Sequence, residues 1–164
     1  MILSLALGFW LLAVGLAVAD TPKVGLPAPK LELPNLKGET VSLSSLQGEK
    51  IVILTFWTTW SKTCSDELIF LQKLYNKYEG KNLEILAVSF DSKTTNLQSF
   101  INKNNITFPV LTDKKHRYLD KYCILIIPTT FLIDKSGILQ NIYVDFDAVI
   151  RKNLEKDLAE LLVP

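Results

Sequence analysis

The chain has 164 residues, of which 48% are hydrophobic and 21% are charged, and its formal net charge is +1. This length suffices for one domain with a sizeable apolar core, and the composition excludes an intrinsically disordered chain. Because there is no block of basic residues, the charge pattern gives no support to nucleic-acid binding or to electrostatic attachment to a membrane.

An apolar run without any charged side chain occupies residues 1–19. Ala17-Val18-Ala19, followed by Asp20, matches the small-residue cleavage site of a secretory signal peptide. A run of this length could also be kept as an N-terminal membrane anchor, whereas its lack of a polar face argues against a buried helix of the domain. We therefore predict an extracytoplasmic protein, in the periplasm or on the outer face of the cytoplasmic membrane. The proline-rich residues 20–30 are predicted to form a linker.

The first half of the domain is predicted to be a hairpin, a strand and a helix. Residues 31–33 and 41–43 alternate apolar and polar side chains around a turn, as a β-hairpin does. Residues 51–57 are almost continuously apolar and rich in β-branched side chains, which predicts a central strand buried on both faces. A helix is predicted to begin after Ser61, its N-cap, and to stop at Gly80.

The second half continues the alternation of strands and helices. The predicted elements are a strand at residues 83–90, a helix at 94–104, a short strand at 109–111, a weaker helix at 114–122, a hairpin formed by 129–133 and 138–144, and a last helix capped by Asp147. This order predicts an α/β domain over residues 31–164, with three layers, a mixed central sheet flanked by helices, and an N-terminal hairpin extension.

Two cysteines, Cys64 and Cys123, lie far apart in the sequence. Their spacing fits neither a zinc site nor a dense disulfide framework, and we expect no metal and no cofactor. A fold that brings them together would allow one disulfide, with Cys123 as a second thiol. Two separate buried thiols are the interpretation that we favour, because buried cysteines are generally inert.

Several motifs agree in order with one known family. The run FWTTW at residues 56–60 and the run PTTFLIDKSG at residues 128–137 resemble the approach to the active site and the proline loop of TlpA/ResA-like thioredoxin-fold proteins, which are part of the redoxin superfamily. The resemblance covers nearly all of the chain from Val24 onward. It implies a thioredoxin-like fold, thiol–disulfide exchange with a protein partner or an extended peptide, and a cis peptide bond before Pro128.

The active-site motif departs from that family. Its members carry Cys-x-x-Cys at the start of a helix, whereas this chain has Ser61-Lys62-Thr63-Cys64. Ser61 takes the position of the attacking cysteine, and a serine hydroxyl is neither ionised near neutral pH nor able to form a sulfur–sulfur bond. With Cys64 alone there is no internal dithiol to oxidise, so we expect any chemistry to run through Cys64.

The resemblance also implies roles for residues around the motif. Pro128 and Glu84 are expected beside it, and Trp60, Ile127 and Pro128 are expected to bind the partner's backbone. Two of these residues have a plainer interpretation: Glu84 as a surface carboxylate at a strand end, and Trp60 as an aromatic residue that packs at the rim of the core. We expect a monomer.

Three functions stay open at this point. The first is a thiol–disulfide redox protein with an altered motif that acts through Cys64. The second is a non-catalytic module that binds a partner polypeptide in the same groove. The third is a one-cysteine peroxidase of the peroxiredoxin type. Peroxiredoxins need a proline where this chain has Trp57, and they need an arginine close to the cysteine, so a short motif without this context is weak support.

Overall fold

The computed structural model describes residues 21–163, so the predicted signal sequence or anchor at residues 1–19 lies outside the described residues. The strands are β1 (Glu32–Pro34), β2 (Thr40–Ser42), β3 (Ile51–Trp57), β4 (Leu83–Ser89), β5 (Val110–Thr112), β6 (Thr129–Ile133) and β7 (Leu139–Val144). The helices are α1 (Lys62–Lys77), α2 (Thr94–Asn104), α3 (Arg117–Lys121) and α4 (Ala148–Leu162), with a 3₁₀ turn at Leu43–Leu46. Among these described helices, none is both long and apolar enough to cross a membrane.

Five strands form one mixed sheet in the order β5-β4-β3-β6-β7, and β1 and β2 form a separate antiparallel pair. Strand β3 pairs in parallel with β4 and antiparallel with β6. The parallel connections are made by helices, as such crossovers require, and the antiparallel pair β6–β7 closes through a tight turn. The predicted α/β fold with a mixed sheet and an N-terminal hairpin is confirmed.

Strand β3 is the centre of the domain, because all seven of its residues are buried. Its alternate side chains point to opposite faces of the sheet and enter two separate apolar cores. Ile53 lies in the core that α1, α2 and α4 cover, and Leu54 lies in the core that the hairpin and α3 cover. A strand buried on both faces has the near-continuous apolar sequence from which it was predicted.

The carboxyl end of β3 is the end that presents the motif. Trp57 pairs with Ser89 at the end of β4, and Phe56 pairs with Thr129 at the start of β6. The antiparallel register, continued by one residue, brings Pro128 beside Trp57. The loops after β3 and β4 and the loop before β6 therefore meet at one edge of the sheet.

Candidate functional site

Ser61 lies immediately before α1 and caps it. Its backbone is extended, with φ −87° and ψ 123°, and its hydroxyl oxygen accepts a hydrogen bond from the backbone N–H of Cys64 at 3.3 Å. The carbonyl of Ser61 accepts a further bond from the Ser65 hydroxyl at 3.1 Å. This confirms the predicted N-cap, and it gives the serine a structural role that is independent of any chemistry.

Cys64 is a free thiol with no exposed surface. Burial is the largest effect on it and raises the pKa of the thiol above its ordinary value of 9.0. Hydrogen bonding to the Ser61 side chain and to the Thr58 backbone lowers the pKa in part, and the nearby charges of Glu67 and Asp91 raise it. At neutral pH the sulfur is therefore protonated, and a protonated thiol is a poor nucleophile.

Asp91 holds the turn that leads into the motif. Its carboxylate accepts hydrogen bonds from the Thr59 backbone N–H and from the Thr59 hydroxyl, both at 2.8 Å. The Ser89 hydroxyl donates to the same carboxylate at 2.8 Å. Asp91 is itself buried. These bonds tie the turn after β3 to the end of β4, and so they fix where α1 begins.

A buried carboxylic acid lies one helical turn beyond Cys64. Glu67 is completely inaccessible to solvent, and its two carboxyl oxygens accept hydrogen bonds from Thr55 at 2.8 Å and Thr130 at 2.6 Å. Burial raises the pKa of Glu67 to about 7, although the two threonine hydroxyls oppose that change. The acid therefore changes charge close to neutral pH, beneath the motif.

The proline loop borders the motif on its other side. The Ile127–Pro128 peptide bond is cis, Pro128 is buried, and its carbonyl accepts a hydrogen bond from the Asp145 N–H at 2.8 Å. Ile127 is half-buried, and across residues 21–163 neither its N–H nor its carbonyl has a hydrogen-bond partner. Trp60, Leu125 and Ile126 around this loop are exposed, at 76%, 94% and 52%.

Glu84 is not part of this site, and the prediction that placed it beside the motif is wrong. It pairs with Val52, whereas Trp57 marks the motif end of β3 five residues further on. At about 3.3 Å per residue, this separation is roughly 16 Å along the strand. The carboxyl end of β4, not its start, adjoins the motif, and there the acid is Asp91.

Cys123 lies just after α3 and is exposed, so the prediction of two buried thiols is wrong for this residue. Its backbone is left-handed, with φ 52°, and its thiol donates to the Asp120 carbonyl at 3.6 Å. Neither it nor Cys64 is in a disulfide. Within residues 21–163 there is no cluster of three or more side chains able to hold a metal ion.

Two residues of the site, Glu67 and Asp91, were not predicted from the sequence. Helix α1 begins at Lys62, and Glu67 is on its inward side. Its position three residues after Cys64, next to Leu68, is the signal that could have shown this, because residues three apart share a helix face. Asp91 could have been found because it follows a buried parallel strand.

Comparison with known proteins identifies the family to which the chain belongs. The model of the AhpC/TSA family matches residues 24–142. The thiol-disulfide oxidoreductase ResA of Bacillus thuringiensis (strain Al Hakam) is 37% identical over 137 residues, which are 84% of this chain and 79% of that protein. The thioredoxin-like protein YneN of Bacillus subtilis (strain 168) is 36% identical over 137 residues, 82% of this chain and 78% of that protein.

A solved structure from Chlorobium tepidum, described as a candidate thiol:disulfide interchange protein DsbE, is 30% identical and superposes with a TM-score of 0.80. The match covers 86% of this chain and 99% of that one. The superposition agrees with the α/β fold and its mixed sheet. The chain belongs to the AhpC/TSA family and, within it, to the TlpA/ResA-like thioredoxin-fold proteins.

Proposed function

We propose that this chain is an extracytoplasmic thiol–disulfide redox protein that binds a partner polypeptide at the motif and reacts through a single thiol, Cys64. The proposal rests on one observation at the start of α1. The helix cap and the proline loop around the motif are present, but the motif itself holds a single thiol. Ser61 caps the helix where the family has its attacking sulfur, and Cys64 stands alone behind it. The apolar residues 1–19 support the location.

The residues around the motif could bind an extended peptide. Trp60 and Ile126 offer exposed apolar surface, and Ile127 offers a backbone N–H and carbonyl that have no partner within residues 21–163. An extended chain can satisfy both groups by pairing as a strand does. The relatives named as thiol-disulfide oxidoreductases support a partner that carries a thiol or a disulfide.

The chemistry is one exchange step. The Cys64 thiolate attacks one sulfur of a partner disulfide, so that a new sulfur–sulfur bond joins Cys64 to the partner while the partner's own bond breaks. The released partner sulfur leaves as a thiolate and takes up the proton that Cys64 lost. A second thiol, from a small molecule or a protein, must then release Cys64, because Ser61 cannot. The step is slow at neutral pH, since burial raises the pKa of Cys64.

A non-catalytic binding module is the second candidate, and the complete burial of Cys64 favours it. In that case the groove would recognise its partner without exchange. The peroxidase alternative has less support. The chain has only two arginines, and Arg117 and Arg151 lie over the rings of Tyr118 and Phe70 rather than acting on the pKa of Cys64.

A disulfide-reduction assay on the Ser61→Cys variant tests the proposal. We expect negligible turnover of a protein disulfide by the wild type and a large gain in Ser61→Cys, because the substitution restores an internal dithiol. Ser65→Cys is the matched control. It adds the same atom in the same turn, but adjacent helical residues do not face each other, so no gain is expected.

Two results would contradict the proposal. Efficient reduction by the wild type would show that Ser61 does not block turnover. An inactive Ser61→Cys that still folds would show that the groove no longer presents a substrate to the motif.

A further inference from the structure

The end of the domain opposite the motif forms a surface from three segments, residues 23–30, 44–50 and 134–137, which we call the basal surface. Backbone hydrogen bonds join them: Gly25 N–H to the Leu139 carbonyl at 2.8 Å, Ala28 N–H to Gly137 at 2.9 Å, and Gly48 N–H to Lys135 at 2.6 Å. These bonds hold the three segments together as one surface.

The basal surface combines apolar and basic side chains. Val24 and Leu26 are exposed, at 53% and 50%. Its lysines are Lys23, Lys30, Lys50 and Lys135, and none of them is in an ion pair within the described part of the chain. Its acids are Glu49 and Asp134, so four lysines face two acids here, a local excess of positive charge that the net charge of +1 over the whole chain does not show. The Asp134 carboxylate already accepts bonds from Ile138 and Gln140.

A crevice of about 170 Å³ opens in the middle of this surface. Its floor is apolar, formed by Leu43, Val52 and Ile133, and Lys30 and Lys50 stand at its sides. Exposed apolar side chains beside unpaired lysines are the composition that lies at the boundary between the acyl chains and the anionic headgroups of a bilayer.

The length of the connecting chain limits how far this surface can lie from a membrane. The apolar run ends at Ala19, and Gly25 is already bonded to β7. Six residues of fully extended chain span at most about 20 Å. Any bilayer that holds the apolar run is therefore close to the basal surface.

We propose that the basal surface rests on an anionic lipid bilayer in which residues 1–19 are kept as an anchor, with Val24 and Leu26 among the headgroups and the lysines beside lipid phosphates. This inference rests on the proposed extracytoplasmic location. The seven residues of β3, about 23 Å long, separate this surface from the motif. The site therefore faces the aqueous phase, where a soluble partner reaches it without entering the membrane.

Site-directed fluorescence quenching tests this orientation on the full chain in vesicles of phosphatidylglycerol and phosphatidylcholine. In a Cys64→Ser, Cys123→Ser background, a bimane label is placed at Ser136→Cys on the basal surface or at Ser92→Cys near the motif. Both serines are exposed. With a nitroxide quencher on the lipid headgroup, we expect the label at position 136 to be quenched several-fold more than the label at position 92.

A second substitution separates docking from mere tethering. Val24→Ser with Leu26→Ser should reduce the quenching at position 136, whereas Val149→Ser, which alters an exposed valine on α4, should not. Equal quenching at both labels, stronger quenching at position 92, or a full chain that does not stay with the vesicles would overturn the proposal. The disulfide-reduction assay needs no vesicles. A failure of the proposed redox function can therefore be distinguished from a failure of the proposed membrane contact.

Discussion

Position 61 decides which chemistry the motif can perform. Its hydroxyl oxygen occupies the helix N-cap, where a cysteine sulfur would otherwise attack, and it hydrogen-bonds to the backbone N–H of Cys64. An oxygen at this position keeps the helix capped but cannot form a sulfur–sulfur bond with a partner. Under the proposed function, Ser61 therefore keeps the helix capped and leaves Cys64 as the single thiol of the motif.

Asp91 is the residue that we expect to hold the motif in place. Asp91→Asn should weaken its bonds to Thr59 and Ser89 and lower the free energy of unfolding by about 1–3 kcal/mol, which is the cost of disturbing a buried, charge-assisted network. Asp66→Asn is the control. Asp66 is exposed, and within residues 21–163 its one ion pair is with Lys62 at 2.6 Å, so its loss should change stability by less than about 0.5 kcal/mol.

Urea denaturation of both variants beside the wild type measures this difference. Equal effects of the two substitutions would show that the Asp91 bonds do not hold the turn.

Helix α1 combines an apolar inner side with one buried acid. Leu68 and Leu71 lie three residues apart on that side, and Gly80 lies just beyond the end of the helix, as expected. The acid was not predicted to be buried, because a charged side chain ordinarily faces solvent. Its burial depends on Thr55 and Thr130, which come from β3 and β6 and meet only in the folded sheet.

Glu67 should make the stability of the protein depend on pH. Its folded-state pKa of about 7 exceeds its ordinary value of 4.5, so the folded state binds more protons than the unfolded state between these values. The free energy of unfolding should therefore fall as the pH rises from about 4.5 through 7, by up to about 3 kcal/mol.

Glu67→Gln tests this dependence, because a glutamine can bond to both threonines without a charge. We expect the variant to gain stability relative to the wild type between pH 5 and pH 8. Glu79→Gln, at an exposed site, should leave the dependence unchanged. Thermal unfolding across that range provides the measurement, and parallel curves for the wild type and Glu67→Gln would contradict the assignment.

Most elements could be predicted from the sequence, because their apolar periodicity reflects burial. Strands β3, β4 and β6 were placed to within one residue, and the Asp147 cap of α4 is present, accepting bonds from Val149 and Ile150 at 2.8 Å. The contents of the site were harder to predict. Side chains such as Asp91 come to the motif through sheet register, which depends on pairings distant in sequence.

At the scale of the whole molecule, the two ends of the sheet differ in chemistry. The motif end carries the Cys64 thiol, the buried acid and exposed Trp60, and the basal end carries a crevice and lysines that form no ion pair within residues 21–163. This polarity follows from the mixed sheet, because β3 and β4 run in parallel and end together at the motif. Under the two proposals made above, the basal end rests on the membrane and the motif end engages the partner.

The reactivity of Cys64 in the folded protein is the most direct test of single-thiol chemistry. Cys123→Ser protein is incubated with a small disulfide such as oxidised glutathione, and its intact mass is followed over time at increasing pH. We predict one adduct per chain at Cys64, formed slowly because the buried thiol must open locally, and faster as the pH approaches the raised pKa. Removing Cys64 as well should abolish the adduct. A folded protein that forms no adduct even at high pH, yet reacts once denatured, would contradict the account.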